Sequence, residues 1–305
     1  MQIVVYEPFQ HFIPTGRGWS NGFKKLGHQS FELPSTQYSI LELDQDVDIL
    51  VLFAPDKSIV PDILQFKKEH PLCKIVFVCL GYKDWYAQIE SCVSLWVEHT
   101  FKHDMSREQF EKRGLKFACI PLAADSTLFF PMANAKMFDI RDVSFVGQFG
   151  MTGHGDRDEQ YYLYPVIDKY SHSFFGGFTY KGNRYPNIPH SSLNNLYNTT
   201  KINLNFHYPY QKDETPQTIS SYLDFNGRVF EIAFSGNFQL CDHAHVKDIG
   251  FETAIPIGDK TNWLDMIEHY LKNDDLRMKC AAEARSIALN KHTWECRMED
   301  VIKNL

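Results

Sequence analysis

Apolar positions recur along this chain in two rhythms. Continuous runs at residues 2–6, 47–53 and 74–80 are of the kind buried on both faces of a parallel sheet. Between them, residues 19–26, 58–69 and 106–113 carry apolar side chains at helical spacing, and 95–98 and 117–121 are short enough for strands. Strand, helix and strand in alternation predict an open, doubly wound α/β sheet. The first strand leads into a Pro- and Gly-rich stretch, 7–18, expected to be a loop. The glycines of TGRGWSNG lack the G-x-G-x-x-G order of a dinucleotide fingerprint, so the loop is expected to shape an acceptor pocket rather than hold NAD.

The rhythm fails between residues 125 and 141, where Pro131 interrupts, and then starts again. This predicts two domains, 1–135 and 136–305. In the second, 143–146, 201–206, 238–241 and 254–257 are expected strands, and 157–170, 193–198, 228–234, 261–272, 275–291 and 292–304 expected helices. Residues 174–188 show no clear period, and 208–223 is a long loop. The last helix carries Trp294, Met298, Val301, Ile302 and Leu305 along one stripe, so it packs against another element.

Composition narrows the function. With 305 residues and 44% hydrophobic content the chain can fill two ordinary cores. A net charge of -7 and a pI near 6.0 give no field to attract a phosphate polymer, so nucleic acid is not an expected partner. Seven cysteines without a C-x-x-C pair point to reduced thiols and a cytoplasmic location. The N-terminus has no basic stretch ahead of its apolar run, and no run approaches the ~18 apolar residues of a membrane span. The high aromatic content, 24 Phe and 15 Tyr, fits either an aromatic-lined cleft or a bias of composition.

The chemistry concentrates in residues 226–242, NGRVFEIAFSGNFQLCD. Arg228, Glu231 and Ser235 share one face of the helix that Gly236 ends, and Asn226 stands just before it. A carboxylate such as Glu231 can accept hydrogen bonds from both hydroxyls of a ribose; it can also be a solvated helical Glu. The planar guanidinium of Arg228 suits a diphosphate, or a salt bridge to Glu231 or Asp224. Gly147, Gly150, Gly153 and Gly155 lie between a strand and a helix whose first turn holds Arg157. That is a phosphate loop, or a flexible connection. Asn205, His207 and Tyr208 fall at the carboxyl edge of the 201–206 strand, where base or sugar contacts are made in open α/β sheets, although a lone His there is more often packed. Asp84 and Trp85, in GYKDWY, occupy the matching place in the first domain, to orient an acceptor hydroxyl and to stack on a sugar, or to serve as an ordinary connection. His243 and His245 beside Cys241 and Asp242 lack a second ligand pair at zinc spacing, and no D-x-D follows a strand. The expectation is therefore no metal and no cofactor.

The run R-x-F-E-x-x-x-x-G at 228–236 resembles the sugar-nucleotide signature of group 1 GT-B glycosyltransferases, the CgeB-like branch in particular. PLAADSTLFFP at 121–131 and HTWECRMEDVI at 292–302 resemble the segment closing that family's N-terminal domain and its terminal helix. The resemblance implies two Rossmann-like domains facing across a cleft, an N-terminal one for the acceptor and a C-terminal one for a nucleotide sugar, with the last helix crossing back. It also implies glycosyl transfer to an acceptor hydroxyl with retained configuration. Glu231 matches the second glutamate of the family's paired motif; the first falls on Leu223, a departure the CgeB-like branch shares. A non-catalytic binding protein and a phosphorylase on the same scaffold are the alternatives, and no motif for a pyridoxal-phosphate lysine accompanies the latter.

Overall fold

The apolar runs become the central strands of two parallel sheets. The computed structural model describes residues 1–7, 15–43, 46–53, 56–147, 159–207 and 222–305, the side chains of residues 159 and 160 excepted. Two compact units result. Unit 1 comprises Met1–Ala123, Pro216–Phe225 and Thr293–Leu305, and unit 2 comprises Ala124–Thr215 and Asn226–His292.

Unit 1 is built on β1 (Gln2–Glu7), β2 (Gln29–Pro34), β3 (Ile49–Phe53), β4 (Lys74–Val78), β5 (Leu95–Glu98) and β7 (Phe117–Cys119), in the order β2-β1-β3-β4-β5-β7. Every neighbouring pair is parallel. Side chains alternate between faces at period 2. Leu50, Leu52, Phe77 and Trp96 pack with Ile63 and Phe66 of α2 (Val60–Glu69) and Phe110 of α3 (Asp104–Glu111). Ile49, Val51, Val76 and Val78 pack with Trp19 and Phe23 of α1 (Thr15–Lys25) and with Trp294, Met298 and Val301 of α10 (Trp294–Asn304). The stripe on the last helix thus meets α1. A short antiparallel pair, β6 (Lys102–His103) with β13 (Tyr222–Leu223), completes the unit.

Two expectations fail in unit 1. The 7–18 loop is too long, because α1 starts at Thr15 and takes in Gly16, Gly18 and Gly22. These glycines serve packing. A Cβ at Gly18 would strike the Trp294 indole, and one at Gly22 would lie 2.7 Å from Met298 Cγ and 2.8 Å from the Trp294 carbonyl oxygen. The edge strand β2 goes unpredicted because it is no apolar run; of QSFELP only Ser30 is buried, and Phe31 is 54% exposed.

Unit 2 carries β8 (Arg141–Val146), β9 (His172–Phe175), β12 (Thr200–Asn205) and β14 (Gln239–Cys241) in the parallel order β14-β12-β8-β9. A hairpin, β10 (Phe178–Tyr180) with β11 (Asn183–Tyr185), turns through Lys181 and Gly182, both at positive φ. It and β9 occupy the stretch that lacked a period. The expected 157–170 helix is two, α4 (Glu159–Tyr162) and α5 (Tyr164–Lys169), with Pro165 in the first turn of the second. The expected strand 254–257 reduces to one bridge, Ile257 to Cys241. Helices α6 (Leu193–Asn198), α7 (Arg228–Phe234), α8 (Trp263–Leu271) and α9 (Asp274–Lys291) surround a core of Phe145, Leu204, Phe206, Leu240 and Trp263. Residues 124–135, expected with the first domain, belong to this unit: Phe129 packs on His190 and Tyr197, and the Phe130 and Met132 amides donate to Asn194 and Asn198. No helix among the described residues is long and apolar enough to cross a membrane.

Candidate functional site

The carboxyl ends of β8 and β12 and the first turn of α7 converge in unit 2. Helix α7 is apolar nearly all round, and Val229 through Phe234 are buried, so its position is fixed by packing rather than propensity. Gly236, at φ +70°, closes it, with the Gly236 amide on the Ala233 carbonyl and the Asn237 amide on that of Ile232.

Glu231 is 3% exposed. Its Oε2 accepts from the Tyr197 hydroxyl of α6 at 3.0 Å. Burial and the adjacent carboxylate push the Tyr197 phenol well up, so it remains a donor. The other oxygen, Oε1, stands 3.8 Å from His190 Nε2, too far for a hydrogen bond, and Nε2 has no hydrogen-bond partner among the described residues. Gly227 helps keep Oε1 open, since even a Cβ there would come within 3.6 Å of it. A gap of this length between an acceptor and an imidazole nitrogen fits one bridging hydroxyl. Neither His190 nor Tyr197 was singled out from the sequence. Both lie far from the 226–242 motif, and only the folding of 190–198 against α7 brings them to Glu231.

Asn226 donates through Nδ2 to Asn205 Oδ1 at 2.9 Å and to the Phe206 carbonyl at 3.2 Å, while Asn205 in turn donates to Gln239. The Asn226 Oδ1 is buried without a partner among the described residues, an acceptor that burial makes costly to leave unmet. Arg228 donates to the same Phe206 carbonyl at 3.4 Å and lies over the Phe145 ring, 5.9 Å from its centre. Gly147 ends β8 with its amide on the Phe175 carbonyl.

His207 is buried at the end of β12. Its ring Nδ1 lies 2.9 Å from Asp242 Oδ1, and its backbone amide donates to the same carboxylate. His207, Cys241 and Asp242 offer donor atoms within 4.8 Å of one another, a group that includes neither His243 nor His245. His245 instead meets Asp248. Burial and Asp242 push the Cys241 thiol up, and burial and His207 push His243 down to about 3, so both are neutral.

Other expected site residues lie elsewhere. Ser235 is at the far, carboxyl end of α7, its hydroxyl donating to the Ile232 carbonyl; helical spacing put it on the Arg228 face, but it is two turns away. Trp85 is half-buried, packed edge-on against Phe77 and Tyr86 at the margin of the unit 1 core. Asp84 is exposed at the start of a short 3-10 turn beyond β4. Arg157, Gly150, Gly153, Gly155 and Tyr208 fall outside the described residues.

Comparison with known proteins agrees with this architecture. Residues 161–303 match the family model described as glycosyl transferase-like, Glyco_trans_1_2. Among solved structures, sucrose-phosphate synthase from Thermosynechococcus elongatus is similar over 99% of this chain and 98% of its own at 9% identity, with a TM-score of 0.55. Alr3699/HepE of Anabaena, in complex with UDP and glucose, is similar over 99% and 98% at 10% identity, with a TM-score of 0.56. TarM is similar over 84% of this chain and 54% of its own, at 11% identity and a TM-score of 0.54. No curated protein sequence matches. Identities this low speak for the fold alone, and the family match covers most of unit 2. In fold the whole chain is thus similar to these glycosyltransferase structures, and residues 161–303 match the glycosyl transferase-like family model.

Proposed function

We propose that the chain transfers a sugar from a nucleoside-diphosphate sugar, bound by unit 2, to a hydroxyl of an acceptor bound by unit 1, without a metal and with retention of configuration. The observation that carries this reading is the pair Glu231 Oε1 and His190 Nε2, 3.8 Å apart and spanned by no protein group among the described residues. A ribose hydroxyl between them donates to the carboxylate and accepts from the imidazole, and the Asn226 Oδ1 beside α7 takes a further donor. Arg228 faces the developing charge on the departing diphosphate, with Arg157 and the Gly147 to Gly155 loop assigned to the same anion. Tyr208 is assigned to the base or sugar end, with the buried Asn205 and His207 behind it holding Asn226 and Asp242 in place, and Asp84 to the acceptor side. HepE is described in complex with UDP and glucose and with UDP-glucose, which favours uridine as the base. Seven free cysteines favour a reducing, cytoplasmic setting. The retaining outcome rests on the family resemblance alone.

Calorimetry with UDP and UDP-glucose tests the donor assignment. Wild type should bind both, and Glu231→Gln should weaken UDP by ~1–3 kcal/mol, the range for a charged hydrogen bond. Unchanged affinity in that variant would remove Glu231 from the ribose. Turnover should also survive EDTA, because basic side chains take the place of a metal at the diphosphate. Loss of turnover restored by manganese or magnesium would instead assign a working ion, with His207, Cys241 and Asp242 the first ligands to test.

A further inference from the structure

Unit 1 holds a second arrangement of polar groups that the proposed donor site does not use. Glu98 is the last residue of β5 and is buried, at the carboxyl edge of the sheet. Both its carboxylate oxygens lie 2.9–3.0 Å from Nδ1 of His103. Ser106 Oγ lies 2.9 Å from the same nitrogen. The imidazole is fixed from other sides too: β6 pairs with β13, Thr100 locks the turn by donating to the Leu223 carbonyl, and the Tyr222 ring stands edge-on at 4.9 Å.

A carboxylate only accepts, so Nδ1 of the neutral ring must carry the proton and Nε2 must be the bare acceptor. No donor among the described residues reaches Nε2, and the His103 side chain is 22% exposed, so this lone pair is presented to solvent in a fixed direction. Its sequence neighbours Lys102 and Asp104 form an ion pair with side chains 46% and 43% exposed, and two apolar side chains are exposed on the adjoining loops. Leu80 is 75% exposed and Met105 64%, and the loops that carry them touch where Gly81 meets Ser106, a Cβ at Gly81 lying 4.0 Å from the hydroxyl. One oriented acceptor atom, with exposed Leu80 and Met105 carried by the two loops that meet at Gly81 and Ser106, at the carboxyl edge where open sheets bind ligands, makes a small amphipathic site.

We propose that His103, oriented by Glu98, binds a hydroxyl group of an acceptor whose neighbouring part is apolar and rests on Leu80 and Met105. This rests on the glycosyltransferase reading for its meaning, since it names the acceptor's chemical class, but not for its test. Glu98 is a positioning residue, and His103 is the group that touches the ligand. A purely structural dyad would meet Glu98 with the same hydrogen bond and would leave Nε2 with nothing to do.

Long-range proton–nitrogen spectra of the histidine rings, with His103 assigned by its loss in His103→Leu, decide the first step. Wild type should show the Nδ1–H tautomer in mildly alkaline buffer, and Glu98→Leu should lose that preference. An Nε2–H ring in wild type overturns the proposal without any variant. The probes for the second step are octyl β-D-glucopyranoside below its micelle concentration and methyl β-D-glucopyranoside, which has the same sugar without the tail. The octyl compound should shift the His103 Nε2 resonance and bind about ten-fold more weakly to His103→Leu. The methyl compound should bind more weakly than the octyl one. An unmoved Nε2 resonance, or equal octyl affinity in wild type and variant, also overturns the proposal. UDP calorimetry on the same samples keeps the two readings apart: lost UDP binding in wild type would count against the donor site in unit 2, whereas these spectra are read without UDP.

Discussion

Glu231 shows how far a residue's neighbours decide its use. A carboxylate at 3% exposure has to be met by donors, and the described structure meets one oxygen with Tyr197 and leaves the other facing His190 across a gap. The residue type and the R-x-F-E spacing were legible in the sequence because Arg228 and Glu231 sit on one short helix. The partners were not, because Tyr197 and His190 arrive from 34 and 41 positions away. The same distinction explains Ser235: helical periodicity gives its face, but its height along the axis puts it at the wrong end. Arg228 carries the prediction at this scale. It reaches the Phe206 carbonyl and lies over Phe145, so its guanidinium is already oriented. If it stabilises the leaving diphosphate, Arg228→Ala should lower kcat by ~10² while donor affinity falls less, because the charge it answers grows only in the transition state. Arg228→Lys should rescue poorly, since an ammonium cannot make the two-pronged contact. Steady-state kinetics with UDP-glucose, joined to UDP calorimetry, separate the two effects. A loss of donor affinity with kcat unchanged would make Arg228 a ground-state binder.

Elements were read best where they are buried on both faces. The runs at β1, β3 and β4 need no partner information, since all-parallel sheets demand continuous apolar residues. Edge and hairpin strands were missed for the opposite reason: β2, β9 and β11 are half exposed, so their apolar content is low and their pairing is set by neighbours. The glycine-rich start of α1 was misread through a sound rule applied to the wrong cause. Glycines lower helix propensity, yet Gly18 and Gly22, four apart, form a smooth stripe on which α10 lies close. Tertiary contact outweighs the propensity cost, and Trp19 and Phe23 beside them bury fully. Gly22 is the more demanding of the two, because a Cβ there meets the Trp294 backbone, which cannot rotate away as a side chain can. Gly22→Ala should therefore destabilise unit 1 by ~1–3 kcal/mol, the usual cost of overpacking, even though Ala is the better helix former. Denaturant titration would show it as a lowered midpoint at unchanged slope. A stabilised variant would mean that α1 and α10 are not in this contact.

At the scale of the whole molecule the two units differ in what their burial does to protons. In unit 1, burial raises Glu7 to about 7, against the pull of the Gly16 amide, and raises Asp224 to about 7, with Glu98 adding to it. Folding therefore takes up protons at both between about pH 4 and 7, so their contribution favours the folded state at low pH and is lost as pH rises through 7. His99 opposes them, lowered by burial to about 4, and so destabilises unit 1 as pH falls below its unfolded value. Among the described residues, two such groups against one leave unit 1 gaining stability on acidification through this window. Unit 2 runs the other way. His243, lowered by burial to about 3, and Glu268, lowered to about 2 by its bonds to Lys272 and Lys169, both favour the folded state at neutral pH. The His243 contribution is lost as pH falls from about 6.5 toward 3, and that of Glu268 only below about 4.5. One net proton corresponds to a slope of about 1.4 kcal/mol per pH unit, enough to reorder two transitions of similar midpoint. Scanning calorimetry of the intact chain between pH 7.5 and 4.5 should thus show the endotherms separating, with unit 2 melting earlier as pH falls. Glu7→Gln should flatten the unit 1 trend, as Gln stays neutral throughout, and His243→Asn should flatten that of unit 2. A single transition falling uniformly with acid, in wild type and in both variants, would refute the opposed proton balance.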